Sequence, residues 1–380
     1  MRGLDVCHWL MIIPSLSSNT RFKPICTFLL VIVFATGVLA NTEVQRPSMM
    51  GLHVVPSPFV SNSSLDAAAA IADNDIWAVG SIGSGSGPFQ TLAEHFDGTS
   101  WSVVPTPSGN ALFGGVAGAA SNDVWAVGRV NPYLSSENTL IEHWNGTNWS
   151  VVASPTLPNG SFLIAVAAPA SNDVWAVGVD SSSSNALIEH WNGVSWSIVS
   201  SPAFTNQSAT AVSADSSTDV WTVGSFGAGT AALHWNGVTW SKVPTARLRF
   251  GGVSAVAALS AVNVWAVGVG PGVPTGGFSA HPTALVEHWD GTRWSVVASP
   301  NPNPQGNNSL FVIAAVNAND IWAFGLQLKG PFSERWDGTS WSIVPLPSGV
   351  SVIAGATALT DGAVVAVGEG TNGSAVILHN

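Results

Sequence analysis

A phrase that returns at nearly regular intervals sets the strongest limit on what this chain can fold into. NDVWAVG occurs twice without change, from Asn122 and from Asn172. Similar phrases fill the chain from Trp77 to Val365, 288 positions in six steps, which is a mean spacing of about 48 residues. The tryptophan of this phrase is Trp77, Trp125, Trp175, Trp221, Trp265 and Trp322. A period of this length indicates an array of small repeated units rather than one irregular domain.

Each unit contains four segments with strand character. The WAVG phrase is rich in β-branched residues and Trp, and it is followed by a phrase such as IEHWNG and then by one such as WSVVASP. Asn-Gly or Asp-Gly separates these two later phrases, and both dipeptides favour the positive φ of a tight hairpin. An Ala- and Gly-rich stretch, for example FLIAVAA from Phe162, precedes WAVG. Four strands with a small-residue strand first predict a propeller blade whose first strand lines a central channel.

The two ends of the chain predict how the ring closes. The last unit ends at Asn380 before any WSVV phrase, whereas HVVPSP from His53 matches that phrase and precedes the first complete unit. The N-terminal strand can therefore complete the last blade and leave no open edge. We predict an all-β fold, a seven-bladed β-propeller of four-stranded antiparallel blades over residues 51–380, closed by this N-terminal outer strand.

The first 40 residues have a different composition. Arg21 and Lys23 precede an apolar run of sixteen residues, 25–40, which ends in small residues that a signal peptidase prefers. We interpret residues 1–40 as a signal peptide that is removed, and residues 41–50 as a linker. The alternative is an uncleaved anchor, although a helix needs roughly 20 apolar residues to cross a bilayer. We expect the protein to be secreted or to lie at the cell surface.

Removal of this leader changes the charge and the thiol content of the chain. Cys7 and Cys26 both lie in it, so the mature chain has no thiol for a disulfide or a thiolate ligand. The remaining 8 basic and 21 acidic groups give a net charge of 8 − 21 = −13. Nucleic acids and anionic membranes bind basic surfaces, so neither is expected as a partner.

The order of the phrases resembles the kelch repeat of kelch-type β-propellers. In both, a strand ending in an aliphatic residue and Gly is followed by a strand that runs into Asp-Gly or Asn-Gly, and then by Trp-x-x-Val and Pro. The resemblance covers residues 51–380, but the chain has one Gly where the kelch pattern has two and lacks the Arg that usually follows the Pro. VWAVG is also similar, more weakly, to tectonin-type lectin propellers.

The kelch-like superfamily includes galactose oxidase, whose copper site needs a tyrosine cross-linked to a cysteine. The chain has one tyrosine, Tyr133, and no cysteine after the leader, so that chemistry is excluded.

Repeated Glu-His pairs and Asp residues are the candidates for chemistry. Equivalent copies in separate blades lie far apart around a ring and do not converge on one ion, so we predict structural roles. The imidazole is expected to be packed between sheets and hydrogen-bonded, and the Asp to accept backbone N–H groups in the turn between the first and second strands. We expect no metal, no cofactor and no catalytic residue. The residues are Glu94-His95, Glu142-His143, Glu189-His190, Glu287-His288 and Asp75, Asp123, Asp173, Asp219, Asp320.

The connections from second to third strand and from fourth to first strand differ between units, and in an up-and-down blade they emerge on one face. We call this the variable-loop face. Its aromatic and cationic residues are the candidates for binding, because such side chains dominate interaction hot spots. They are Tyr133, Arg247, Arg249, Phe250, Phe278, His281, Lys329 and Phe332.

The sequence therefore predicts a monomeric, non-enzymatic binding module whose variable loops hold a protein or a glycan. The alternative is a secreted carbohydrate-active enzyme with its site at the mouth of the central channel. A cluster of two or three carboxylates or histidines at that mouth favours the enzyme. Its absence, together with exposed aromatic side chains on the variable-loop face, favours the binding module.

Overall fold

The computed structural model describes residues 51–380 apart from 84–87, 133–136, 182–184, 203–207, 227–228, 247–250, 275–279 and 305–306. Seven four-stranded antiparallel blades form an all-β propeller, which confirms the predicted fold class. No helix in the described ranges is long and apolar enough to cross a membrane.

The strands follow the chain order of the repeated phrases. The closing strand is β1 (His53–Val54). Blade 1 contains β2 (Ser63–Ala72), β3 (Asp75–Ile82), β4 (Gln90–Phe96) and β5 (Trp101–Val103); blade 2 contains β6 (Ala111–Ala120), β7 (Asp123–Val130), β8 (Asn138–Trp144) and β9 (Trp149–Val151); blade 3 contains β10 (Ser161–Ala170), β11 (Asp173–Asp180), β12 (Asn185–Trp191) and β13 (Trp196–Ile198). Blade 4 contains β14 (Ala211–Ser216), β15 (Asp219–Phe226), β16 (Gly229–Trp235) and β17 (Trp240–Val243); blade 5 contains β18 (Gly252–Ser260), β19 (Asn263–Pro274), β20 (Ala280–Trp289) and β21 (Trp294–Val296). Blade 6 contains β22 (Ser309–Asn317), β23 (Asp320–Gln327), β24 (Gly330–Trp336) and β25 (Trp341–Val344); blade 7 contains β26 (Val350–Ala358), β27 (Val364–Gly370) and β28 (Ala375–His379), completed by β1.

The ring is closed by β1, as the ends of the sequence predict. β1 pairs antiparallel with β28, with Val54 opposite Leu378. Directly after β1, the Val55 N–H donates to the Ile377 carbonyl at 3.0 Å. Leu52, 5% exposed, is buried in the core between blades 6 and 7. Leu52 and a short antiparallel ladder therefore connect the two ends of the propeller, together with the contacts of Ser61 and Ser63 with blade 7.

The hydrophobic core lies between the blades, where the repeated tryptophans are buried. Trp125 of β7 is 2% exposed and packs against two tryptophans of blade 3. Its ring centroid is 5.0 Å from that of Trp191 and 5.4 Å from that of Trp196. Such tilted and edge-on pairs add to the burial of large aromatic surfaces. The tryptophans of the WAVG phrase are all buried in this core.

The glycine of each WAVG phrase allows the first strand of the blade to form a β-bulge. Gly178 lies opposite Leu163, and the register of β10 slips between Leu163 and Ala165. A Cβ atom on Gly178 would lie 2.0 Å from the Phe162 carbonyl oxygen, where no side chain fits. The same contact, at 1.9–2.1 Å, occurs at Gly80, Gly128, Gly268, Gly325 and Gly368. The repeated glycine is thus required by a close backbone approach.

Small residues let the first strands of neighbouring blades approach each other around the axis. A Cβ atom on Gly355 of blade 7 would lie 2.6 Å from the Ala67 Cα of blade 1. On Gly115 of blade 2 it would lie 2.9 Å from the Ala165 Cα of blade 3. The prediction that the Ala- and Gly-rich strand lines the channel is confirmed.

Candidate binding site at the mouth of the central channel

A cavity of about 700 Å³ lies at the centre of the ring and is lined by residues of all seven blades. This volume is within the range of ligand-binding pockets. The repeated bulges help to build it, because the bulged residue of each first strand lines the cavity near the end of the strand that starts on the variable-loop face. We call these seven positions the bulge ring: Asp66, Gly114, Ile164, Thr210, Ser254, Phe311 and Ala354. Thr210 holds the equivalent place directly before β14.

Asp66 is the carboxylate among the described residues that line this cavity. Burial raises the pKa of Asp66 to about 6. A hydrogen bond from Ser64 and the positive charge of Arg129 lower this pKa in part, whereas the negative charge of Glu369 raises it. The raised value shows that the dehydration of the Asp66 carboxylate outweighs the counter-charge that its neighbours supply.

Arg129, the cation among the described lining residues, is held at the seam between blades 2 and 3. Its Nη1 atom is 3.0 Å from Glu137 Oε1. Its guanidinium carbon lies 4.6 Å from the centroid of the Phe162 ring of blade 3. The Ser161 N–H also donates to the Glu137 carbonyl at 3.2 Å. These contacts fix the Arg129 side chain and give it a counter-ion in Glu137.

The rest of the bulge ring is uncharged and partly apolar. Phe311 of blade 6 is 40% exposed, and Ile164 of blade 3 is half-buried. Thr210 and Ser254 supply hydroxyl groups, and the Thr210 hydroxyl donates to the Val223 carbonyl at 3.3 Å. The mouth therefore combines one charged side, built by blades 7, 1 and 2, with apolar side chains from blades 3 and 6.

The structure describes three of the eight residues that the sequence predicts for binding. Lys329 is exposed between β23 and β24, and His281 is half-buried in β20 opposite Val273. Neither of them lines the cavity. Five of the predicted residues lie outside the described residues, namely Tyr133, Arg247, Arg249, Phe250 and Phe278.

Phe332 is part of the core. It is 4% exposed and packs with Trp265 and Val286 of blade 5. In the third-strand phrase, FSERW aligns with LIEHW, so that Phe332 takes the inward position of Leu187, which is 3% exposed. An aromatic side chain at this place fills the space between blades and is closed to a partner.

Sequence reasoning missed Asp66, although the sequence contains a pattern that identifies it. In the first strands of the other units an uncharged residue takes the bulged position, as Gly114 does in GGVAGAA, whereas LDAAAA from Leu65 places a carboxylate there. A charged residue at this position of a strand that lines the channel indicates a site.

The repeated Asp residues bind side chains, so the predicted contact with the turn backbone is wrong. Asp123 Oδ1 is 2.7 Å from His143 Nε2 and accepts the Trp125 indole N–H at 3.0 Å. The His143 ring is 4.2 Å from the Trp125 ring, centroid to centroid. The carboxylate reaches the imidazole because the second and third strands pair antiparallel, which brings the start of β7 beside the end of β8. The equivalent pairs are Asp75–His95, Asp173–His190 and Asp219–His234 at 2.6–2.7 Å.

The hydrogen-bonded imidazole that the sequence predicts is confirmed by these contacts. Blade 6 keeps the same arrangement with an arginine in place of the histidine, since Arg335 forms two bonds of 2.7 Å to Asp320. Across the described ranges, no group of three or more His, Cys, Asp or Glu side chains is placed to hold a metal ion.

The glutamates beside these histidines are buried between blades. Glu189 has no exposed surface, and burial raises its pKa to about 8. The equivalent glutamates have pKa values raised by burial to about 7; they are Glu94, Glu142, Glu287 and Glu334. Blades 4 and 7 have Leu233 and Leu378 at the same place. The position therefore accepts a neutral side chain, and an ionised carboxylate there is costly.

We expect Glu189→Gln to stabilise the protein above pH 8 and to flatten its pH dependence. The folded-state pKa of about 8 exceeds the unfolded value near 4.5, so the stability due to the bound proton is complete below about pH 4.5 and is lost as the pH rises through 8. The expected gain at pH 9 is about 2–4 kcal/mol. Thermal unfolding of the wild type and the variant from pH 5 to 9 measures it. Asp215→Asn, at an exposed position, is the control and should leave the profile unchanged.

These features define a seven-bladed β-propeller whose channel mouth contains charged and apolar side chains. The chain has the WD40-like propeller fold of several solved structures. YCF48 from Cyanidioschyzon merolae matches 87% of this chain and 99% of its own, with 19% identity and a TM-score of 0.58. A structure of YCF48 bound to D1 peptide matches 87% of this chain and 95% of its own, with 13% identity and a TM-score of 0.57. The WD40 β-propeller domain of Doa1 matches 87% of this chain and 97% of its own, with 13% identity and a TM-score of 0.58.

No protein-family model and no curated protein sequence matches the chain. At these levels of identity, the solved structures show a shared fold.

Proposed function

We propose that the protein is a non-enzymatic, monomeric scaffold that binds a protein partner on its variable-loop face, around the mouth of the channel. The observation that carries this proposal is that the residues of the bulge ring differ in size and charge from blade to blade. Closure of a propeller requires only small residues around the axis, yet the ring contains Asp66, Ile164 and a 40% exposed Phe311. Charged and apolar groups that converge on a concave surface are typical of a binding site.

The solved structures support a protein as the partner. YCF48 has been solved with a bound D1 peptide. A propeller of this kind presents connections that differ from blade to blade on a rigid frame, which suits recognition of a partner. Five of the predicted binding residues, among them Arg247 and Arg249, lie outside the described ranges. The sequence assigns them to connections on this face, and they remain part of the proposal.

Capture of partners by the purified protein tests this proposal. Arg247→Ala/Arg249→Ala on the variable-loop face is compared with Val194→Ser/Val238→Ser, which alters side chains that are 82% and 81% exposed on the opposite face. We expect saturable capture of a protein from the surface fraction of the source organism, weakened only by the arginine double variant. Equal binding by both variants and the wild type would contradict the assignment of the face. A glycan array run with the same three proteins distinguishes a glycan ligand from a protein.

A carbohydrate-active enzyme is the second candidate, because Asp66 lines the mouth and the charge of Glu369 acts on it. Glycoside hydrolysis uses two carboxyl groups, one of them with a raised pKa. Binding is better supported because Asp66 is the one carboxylate among the described residues that line the cavity, so the lining shows no cluster of two or three. Release of reducing sugar from a polysaccharide panel, lost in Asp66→Asn, would establish the enzyme instead.

The site of action and the type of repeat are further parts of the proposal. We propose that residues 1–40 direct export and are removed, so that N-terminal sequencing of the exported protein should begin at Asn41. Retention of the apolar run in the membrane fraction would indicate an anchor. We also propose that the repeat is of the kelch type, because its sequence phrases follow one another in the same order as those of the kelch repeat.

A further inference from the structure

We infer that the channel mouth receives a basic side chain of a partner peptide, Lys or Arg, with Asp66 as its counter-ion. This inference rests on the proposed function and names the chemistry of the partner at the site. Three observations carry it: the charge balance at the mouth, the position of the Asp66 carboxylate, and the apolar groups across the ring.

The charged groups at the mouth do not cancel. Asp66, Glu369 and Glu137 carry negative charges when ionised, and Arg129 carries a positive charge. Arg129 is bound to Glu137 at 3.0 Å and lies against the Phe162 ring, and its charge lowers the pKa of Asp66 only in part. Glu369 is not among the described residues that line the cavity, but its charge acts on Asp66. Together the three carboxylates and Arg129 carry a net charge of about −2 when ionised, which attracts a cation.

The position of Asp66 selects a long basic side chain over a surface contact. Asp66 lines the cavity as the bulged residue of β2, where burial already raises its pKa. A cation must enter the cavity to reach this carboxylate. Lys and Arg carry their charge at the end of an apolar stem, so the stem can pack on apolar groups while the head meets the carboxylate.

The apolar groups for such a stem are present across the ring. Phe311 is 40% exposed and lies in blade 6, two blades from Asp66, and Ile164 lies in blade 3. An exposed aromatic side chain in the same cavity also suits the guanidinium group of Arg, which stacks on aromatic faces. A divalent metal ion is a poor alternative, because the described residues hold no group of three ligating side chains.

The test uses three pools of labelled octapeptides, acetylated and amidated at the ends, with a central Arg, Gln or Glu and apolar flanking positions. Fluorescence anisotropy measures their binding to the purified protein. We expect the Arg pool to bind at least about tenfold more tightly than the Gln pool, and the Glu pool to bind most weakly. Asp66→Asn should remove this preference. Asp215→Asn, which removes one charge at the other end of the channel strand β14, should retain it.

A pH series supplies a second readout that a purely structural role of Asp66 would not change. Because the pKa of Asp66 is about 6, its charge is lost as the pH falls through 6; Arg129 and Glu369 are the charged neighbours that act on it. Affinity for the Arg pool should therefore rise between pH 5 and 7.5 in the wild type and change little in Asp66→Asn.

The outcomes separate this inference from the proposed function. Arg-pool binding that is unaffected by Asp66→Asn overturns the role of Asp66 and leaves the scaffold function in place. Binding of agmatine, a free guanidinium compound, without binding of any peptide pool overturns the peptide as the source of the cation. Failure of every pool, while the protein still captures a partner from the surface fraction, overturns this inference alone; failure of both experiments overturns both proposals.

Discussion

Gly178→Ala is expected to lower the free energy of unfolding by about 3–5 kcal/mol, which is exceptional for the addition of one methyl group. The new Cβ atom would lie 2.0 Å from the Phe162 carbonyl oxygen and 2.8 Å from the Leu163 Cα. Both are backbone atoms of the bulged strand β10, so a change of side-chain rotamer cannot relieve the clash. β10 would have to move away from β11 and from the channel. Urea unfolding followed by tryptophan fluorescence measures the loss.

The control for this prediction is Gly109→Ala. Gly109 is exposed, and a Cβ atom built on it meets nothing within 4 Å. Its substitution should change the free energy of unfolding by no more than about 0.5 kcal/mol. If Gly178→Ala unfolds at the same urea concentration as the wild type, β10 and β11 must be far enough apart to accept a Cβ atom, which would contradict the prediction.

The fold could be predicted from the sequence because every blade repeats the same local pattern. The hairpin residues confirm this most directly, since Gly146 and Gly193 have φ values of 92° and 89° after Asn residues that mark the turn. Closure of the ring could also be predicted, because HVVPSP supplies the one phrase that the last unit lacks. Repetition gives several independent observations of each strand, which a single irregular domain does not offer.

The candidate site could not be predicted in the same way, because it depends on departures from the repeat. Asp66, Arg129 and Glu369 come from blades 1, 2 and 7 and meet only when the ring closes. The position of Asp66 further depends on a bulge, which shifts the alternation of faces along the strand and is invisible in a period-2 pattern.

The contact between Asp123 and His143 shows a second limit. The sequence presents the Asp of the second strand and the His of the third strand as two separate repeated motifs. Strand pairing places them 2.7 Å apart although they are 20 residues apart in the chain. Motif-by-motif reasoning assigned each a structural role but gave the Asp the wrong partner. The same strand alignment applied to Phe332 and Leu187 would have placed Phe332 in the core.

The second large effect is expected at the closing strand. Leu52→Asp should lower the free energy of unfolding by about 3–5 kcal/mol, because it places a charge in the core between blades 6 and 7, where Leu52 is 5% exposed. Loss of β1 from blade 7 would also leave the N–H and C=O groups of β28 unpaired at an open edge. Open edges pair with other chains, so we expect dimers or larger species as well as lower stability.

Light scattering after size-exclusion chromatography and urea unfolding test the two parts of this prediction together. Phe59→Asp is the matched control, since it makes a comparable apolar-to-charged change only a few residues beyond β1, at a side chain that is 77% exposed. The control should remain monomeric and unfold like the wild type. If Leu52→Asp also remains monomeric and keeps its full stability, closure by β1 contributes little, and the ring must be held by the contacts between blades alone. The expected outcome, self-association and early unfolding of Leu52→Asp only, would show that Leu52 and the two-residue strand β1 are needed to close the propeller.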